Sequence, residues 1–288
     1  MLNEIYQNLD PVAFSLGPLV VRWYGLAYVL GFALAALIIY RVARRWRLGV
    51  SEDDLLTLMV CAIIGVVLGA RVGYVLFYGD GYYLAHPLEV LAFNQGGMSF
   101  HGGLVGLLIG GAVAAKLTRI PFLTLADLGS IGAPLGLFFG RCANFVNGEL
   151  WGAPTDWPVG VVFGGAAGTM PRHPSQLYEA VLEGLVIFCV LYALSRRVPP
   201  RPRGTFVGAF LVLYGVFRFL IEFVREPDAQ LGYLWGGWLT MGQVLSAPLV
   251  VAGVAVLVWA WRRQLPQQGP RRGAAADASA PEPPAGLS

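Results

Sequence analysis

Apolar residues along this chain gather into long unbroken blocks separated by short polar stretches, instead of recurring on one face of otherwise polar helices. Seven blocks stand out: Trp23–Tyr40, Leu55–Tyr78, Gly102–Leu117, Phe122–Phe139, Gln176–Leu194, Thr205–Val224 and Met241–Trp261. Blocks of about 20 residues, at 1.5 Å rise per residue, match a hydrocarbon core about 30 Å thick. The pattern therefore predicts an all-α polytopic membrane protein with seven transmembrane helices. Between Arg141 and Ser175 the apolar run is broken by glycine, proline and polar residues, which predicts a small extramembrane cap over 141–175. An integral-membrane catalytic domain over 1–263 is thus expected to precede a tail, 264–288. The tail is rich in alanine, proline and glycine, has nothing to bury and is expected to be disordered.

Composition agrees, with 56% apolar and only 13% charged residues in 288. The distribution of charge adds an orientation. Basic clusters follow the first, third, fifth and seventh blocks: Arg41, Arg44, Arg45 and Arg47; Lys116 and Arg119; Arg196, Arg197, Arg201 and Arg203; Arg262, Arg263, Arg271 and Arg272. Short loops rich in Lys and Arg stay cytoplasmic, so the N-terminus and the cap are expected outside and the C-terminus inside. Of the 20 basic residues only Arg22, Arg71, Arg141, Arg172, Arg218 and Arg225 fall towards the outer side. An arginine in or beside the hydrocarbon core costs a few kcal/mol on insertion scales, so a function for positive charge is expected there.

Several classes are excluded. A net charge of +3 without a basic stripe interleaved with aromatics argues against a nucleic-acid partner. Cys61, Cys142 and Cys189 lie far apart, make neither a CxxC nor a zinc pattern, and read as small packing residues. No metal or cofactor is expected. Residues Met1 to Asp10 carry acids and no positive n-region, so the first span is expected to remain as an anchor.

The densest polar segment runs from Gly140 to Gly152, where the fourth span leaves the membrane. Arg141, Asn144, Asn147 and Glu149 converge if it folds back; as an alternative of equal weight, the segment is an interfacial turn with Trp151 in the aromatic belt. In the sixth span Tyr214, Arg218, Glu222 and Arg225 recur at helical spacing and share one face. That stripe climbs from about 15 Å to about 27 Å along the helix from Gly204. Its structural alternative is an Arg–Glu pair tying helices together. His101 lies among Gly96, Gly97, Gly102 and Gly103 at the start of the third span, where a backbone or ligand can approach closely. Ser175 is placed to cap the fifth span, with Glu179 in its first turn suiting the dipole. Glu179 and Glu183, one turn apart, are positioned to orient arginines. Arg71 is expected to contact a headgroup or to snorkel.

The pattern GRxxNFxNxExxG from Gly140 to Gly152 resembles the motif of the prolipoprotein diacylglyceryl transferase family. Arg22-Trp23-Tyr24-Gly25, Gly96 to Leu104 around His101, His173-Pro174-Ser175-Gln176-Leu177-Tyr178-Glu179, and Tyr214-Gly215 through Arg218 to Glu222 resemble the same family, in the same order. The likeness spans Arg22 to Gln243. It implies a seven-span enzyme of the bacterial inner membrane that moves the diacylglyceryl group of phosphatidylglycerol to the lipobox cysteine of prolipoprotein signal peptides, releasing glycerol phosphate. Carried over residue by residue, it implies catalytic roles for His101, Arg141 and Arg218. It also implies phosphatidylglycerol contacts for Tyr24, Arg141, Asn144, Glu149, Gly152, Tyr214, Arg218 and Glu222. A monomer is expected. The acceptor peptide supplies the thiol, which explains why the chain shows no nucleophilic Ser or Cys motif of its own. An anion transporter is the competing reading, but the chain shows no internal repeat; a purely structural membrane protein leaves the outward arginines unexplained.

Overall fold

A computed structural model describes residues 1–17, 19–93, 96–227 and 232–271. Six of its helices are long and apolar enough to cross a membrane: α2 (Trp23–Arg45), α3 (Glu52–Tyr78), α5 (Phe100–Thr118), α6 (Phe122–Asn147), the continuous run Ser175–Ser195, and α10 (Met241–Arg263). A seventh apolar helix, α9 (Thr205–Ile221), is shorter. The run Ser175–Ser195 consists of α7 (Ser175–Glu179), a π-helical stretch Ala180–Val186, and α8 (Ile187–Ser195). All seven apolar blocks are therefore helical, and the protein is a polytopic, mainly α-helical membrane protein.

Helix starts follow local chemistry where the sequence provides it. Ser51 and Asp54 form a capping box at α3, Thr240 and Gln243 form another at α10, and arginines close the last turns of α2 and α10 against the helix dipole. α9 has no side-chain cap of its own. Instead the wholly buried carboxylate of Asp127, on α6, accepts from the backbone N–H groups of Gly204, Phe206 and Val207 at 2.8, 3.0 and 2.9 Å.

The fold divides into two compact units. The first comprises Met1–Trp46 and Ala126–Pro266. Here α2 meets α6 where Gly31 faces Gly136 and Gly132 faces Ala35; a Cβ on Gly31 would stand 3.0 Å from Gly136 Cα. Gly184, in the π-helical stretch, lies so close to Phe138 of α6 that a Cβ would meet Phe138 Cβ at 2.7 Å. These contacts bring the end of α6 against the helix that carries Glu179. Within the cap, Phe145, Val161, Phe163 and Ala167 form a small apolar cluster, joined by Tyr6 from the N-terminal helix α1 (Leu2–Gln7).

The second unit comprises Arg47–Leu125 and Gln267–Ser288, of which residues 267–271 are described. It holds the short helix α4 (Tyr82–Ala85), and its main feature is the pair α3 and α5, which pack backbone to backbone. Gly65, Gly69 and Gly73 face Gly102, Gly106 and Gly110, and a Cβ on Gly106 would fall 1.9 Å from the Gly65 carbonyl oxygen. In lipid, apolar side chains gain nothing by leaving their surroundings, so close backbone contact between small residues supplies the attraction. The two GxxxGxxxG runs responsible, Gly65 to Gly73 and Gly102 to Gly110, were not singled out from the sequence.

Several details differ from the sequence reading. The fourth span does not end at Phe139: α6 continues to Asn147, because Gly140 is accommodated within the helix and the first left-handed residue is Gly148, at φ +67. Residues 1–22 contain α1 and a two-stranded antiparallel ribbon, β1 (Val12–Leu16) with β2 (Leu19–Arg22), which the apolar pattern did not announce. Ser175 does not cap the fifth span; its hydroxyl donates to the Leu150 carbonyl at 3.0 Å, and Pro174 holds the N-cap position. Residues 264–271 make specific contacts, Leu265 accepting from Arg203 N at 2.8 Å and Arg271 N donating to Arg119 O at 3.2 Å. The rest of the tail, 272–288, lies outside the described residues.

Candidate active site

Three guanidiniums converge on one carboxylate in the first unit. Glu179 is wholly buried; its Oε2 lies 2.6 Å from Arg141 Nε, and its Oε1 lies 3.1 Å from Arg225 Nη1 and 3.3 Å from Arg218 Nη1. A second carboxylate, Glu222, pairs with Arg218 Nη2 and lies 3.8 Å from Arg225 Nε. Glu183, also wholly buried, has its nearest cation at 4.0 Å, Arg141 Nη2. The three arginines come from α6, α9 and the segment just beyond α9, while Glu179 and Glu183 project one turn apart from the helical run Ser175–Ser195 with its π-helical stretch. Insertion of a π turn there is a common device at functional sites. The three arginine side chains keep 13–19% of their surface open. With five N–H groups in a planar fork, each can hold a counter-carboxylate and still present donors to an incoming anion.

The Gly140–Gly152 motif does fold back, but not as a single convergence. Its turn runs through Gly148 and Leu150, both at positive φ. Glu149 Oε1 accepts from Asn144 Nδ2 at 2.8 Å and from Asn147 Nδ2 at 3.3 Å, and Gln176 Nε2 donates to the Glu149 carbonyl at 2.6 Å. Arg141 turns away from this knot towards Glu179. Its partner lies on another helix, which no reading of the motif by itself shows.

Tyr24, at the start of α2, is hydrogen-bonded through its hydroxyl to Tyr28 at 3.1 Å and lies within electrostatic reach of Glu149 and Arg141. Tyr214 is one turn before Arg218 on α9 and senses the charges of Glu183, Arg218, Arg141 and Glu179. Gly152 sits at a backbone crossing: its N–H donates to the His173 carbonyl at 2.8 Å, and a Cβ would stand 2.4 Å from the Val224 carbonyl oxygen. No side chain fits there. His173 itself is buried, its Nδ1 3.1 Å from the Tyr178 hydroxyl, and burial lowers its imidazole below the ordinary value.

Two of the outward arginines have structural roles instead. Arg71 does not snorkel: it is buried, and donates to the carbonyls of Glu89 (2.6 Å), Val90 (2.7 Å), Gly96 (2.7 Å) and Gly97 (3.1 Å). A loop rich in unpaired carbonyls needs donors, and one guanidinium supplies four. Arg172 likewise binds the carbonyls of Ala167 and Gly152 and the carboxylate of Glu226. Arg22 is exposed at the end of β2. His101, in the second unit, is exposed in the first turn of α5, whose N-cap is Ser99. The sequence reading missed Thr240, which donates to Glu222 Oε2 at 2.6 Å; its only signal was the TxxQ capping pattern it forms with Gln243.

Residues 11–259 match the sequence profile of the family described as prolipoprotein diacylglyceryl transferase. A protein of Geobacter sulfurreducens named phosphatidylglycerol–prolipoprotein diacylglyceryl transferase is 50% identical over 260 residues, covering 90% of this chain and 98% of the relative. Proteins of the same name from Methylocella silvestris and Bordetella avium are each 49% identical, covering 90% of this chain and 96% and 97% of the relatives. Matches of this extent, over most of this chain and nearly all of each relative, make the chain a member of the prolipoprotein diacylglyceryl transferase family.

Proposed function

We propose that this protein transfers the diacylglyceryl group of phosphatidylglycerol to the lipobox cysteine of prolipoproteins, acting as a monomer in the bacterial inner membrane. The observation that carries the reading is the set of three partly exposed arginine side chains held by the buried carboxylate of Glu179. The acceptor thiol loses its proton, its sulfur attacks the glyceryl carbon bonded to phosphate, and that C–O bond breaks with its electron pair leaving on glycerol phosphate. Charge grows on the departing phosphate, so donors fixed in advance stabilise the transition state more than the ground state. Arg141 and Arg218 take the phosphate oxygens, since their planar forks donate two bonds each.

Asn144, near the end of α6, and Tyr24, at the start of α2, hold the glycerol and phosphate oxygens. Glu149 and Glu222 orient Asn144 and Arg218, Tyr214 completes the stripe on α9, and Gly152 lets the cap backbone pass close to Val224 and Arg225. His101 accepts the thiol proton, because only thiolate attacks well and an imidazole can take a proton near neutral pH. The N-terminus and the 141–175 cap face the periplasm and the C-terminus faces the cytoplasm, as the basic clusters require.

The test uses purified protein, phosphatidylglycerol vesicles and a lipobox peptide, with the diacylglyceryl thioether detected by mass and glycerol phosphate measured alongside. The wild type forms both products in equal amounts. Arg218→Lys keeps the charge but not the fork, and is expected to lose most of the activity while remaining folded. Near-normal transfer by that variant would remove the phosphate-clamp assignment.

A further inference from the structure

We propose that Thr240, at the N-cap of α10, is a positioning residue for Arg218 and acts through Glu222. The proposal rests on the reading of Arg218 as a phosphate clamp. Both bonding capacities of the Thr240 hydroxyl are in use. It donates to Glu222 Oε2 at 2.6 Å, and it accepts from Gln243 N at 3.3 Å as the cap of α10. The other oxygen of Glu222 pairs with Arg218 Nη2. One hydroxyl thus joins the start of α10 to the guanidinium cluster, and all three residues of the relay are in the same unit.

The first turn of α10 is shaped around this carboxylate. A Cβ on Gly242 would stand 2.4 Å from Glu222 Cδ and 2.6 Å from each of its oxygens, so any side chain there displaces Glu222. Thr240, Glu222 and Gln243 are all buried. The N-terminus of the 23-residue helix α10 lies beside the carboxylate, where its unpaired N–H groups attract negative charge. Arg218 carries only a partial share of Glu179, which it divides with Arg141 and Arg225. Glu222 is therefore the group that sets the plane of the Arg218 fork, and Thr240 sets Glu222.

The experiment separates this role from simple helix capping. Asp caps a helix as well as Thr does, but it cannot donate to Glu222 and it adds a like charge beside it. Thr240→Asp keeps a cap but sets a second carboxylate beside the buried Glu222, so it should melt below the wild type and lose about tenfold or more in kcat, as expected when an interaction made in the transition state is weakened. Thr240→Val should lose kcat as well, and Thr240→Ser should restore it. Gly242→Ala provides an arm that leaves the cap intact: it is expected to fold and to lose kcat for the same reason. If Thr240→Asp or Gly242→Ala folds and turns over at the wild-type kcat while Arg218→Lys is inactive, the Thr240 relay is wrong and the clamp stands. If Arg218→Lys is itself active, the clamp and the relay fall together.

Discussion

Arg141 Nε lies 2.6 Å from Oε2 of Glu179, a carboxylate with no solvent exposure. Its other oxygen is shared by Arg218 and Arg225, so a single negative charge organises three positive ones taken from different segments. Replacing Glu179 by Gln keeps the shape, removes the charge and turns an amide N–H2 towards a guanidinium. Breaking a buried pair in this way costs about 3–5 kcal/mol. Glu179→Gln is expected to melt well below the wild type in detergent and to lose transfer; a variant as stable as the parent would show that Glu179 is not the counterion that holds the cluster.

For His101 the decisive quantity is the pH dependence of transfer. If it takes the thiol proton, its loss matters least where thiolate forms unaided, near the ordinary thiol value of about 8.5. The His101→Gln enzyme should therefore recover relative to wild type as pH rises from neutral to about 9. A residue that only donates a hydrogen bond, or only supports the glycine loop, gives a ratio of rates that stays flat. Folding and lipid binding are checked at each pH.

The α3–α5 contact predicts a contrast between two glycines. Gly106→Ala would place a methyl 1.9 Å from the Gly65 carbonyl, backbone against backbone, and the helices must part. Overpacking of this kind costs about 1–3 kcal/mol. Gly129→Ala in α6 meets nothing within 4 Å and gains helix propensity, so it should be neutral or slightly stabilising. Thermal melts of the two purified variants test the pair, and equal melting temperatures would contradict the close approach.

Topology is tested with single cysteines at Thr155 and Arg201, in a chain whose Cys61, Cys142 and Cys189 have been replaced. An impermeant thiol reagent added to intact cells should label position 155 and spare 201. The reverse pattern would invert the orientation read from the basic clusters.

The membrane architecture was legible in the sequence because lipid imposes a strong rule: a span must be apolar for about 20 residues and must bond its own backbone. Hence all seven apolar blocks became helices. The Asn144, Asn147 and Glu149 knot was also within reach, since its partners lie within five residues and one glycine turn. What the sequence left open was the destination of each outward charge. Arg71 and Arg172 look like Arg141 and Arg218 as letters, yet the first two bind loop carbonyls and the second two meet at Glu179. A charged side chain announces that it needs a partner but not which one, and the partner of Arg225 lies 46 residues away on another helix. Thr240 reads as an ordinary cap until the fold sets Glu222 against its hydroxyl. Tertiary structure decided those pairings because a buried guanidinium, carboxylate or hydroxyl is stable only where donors and acceptors from separate helices meet it.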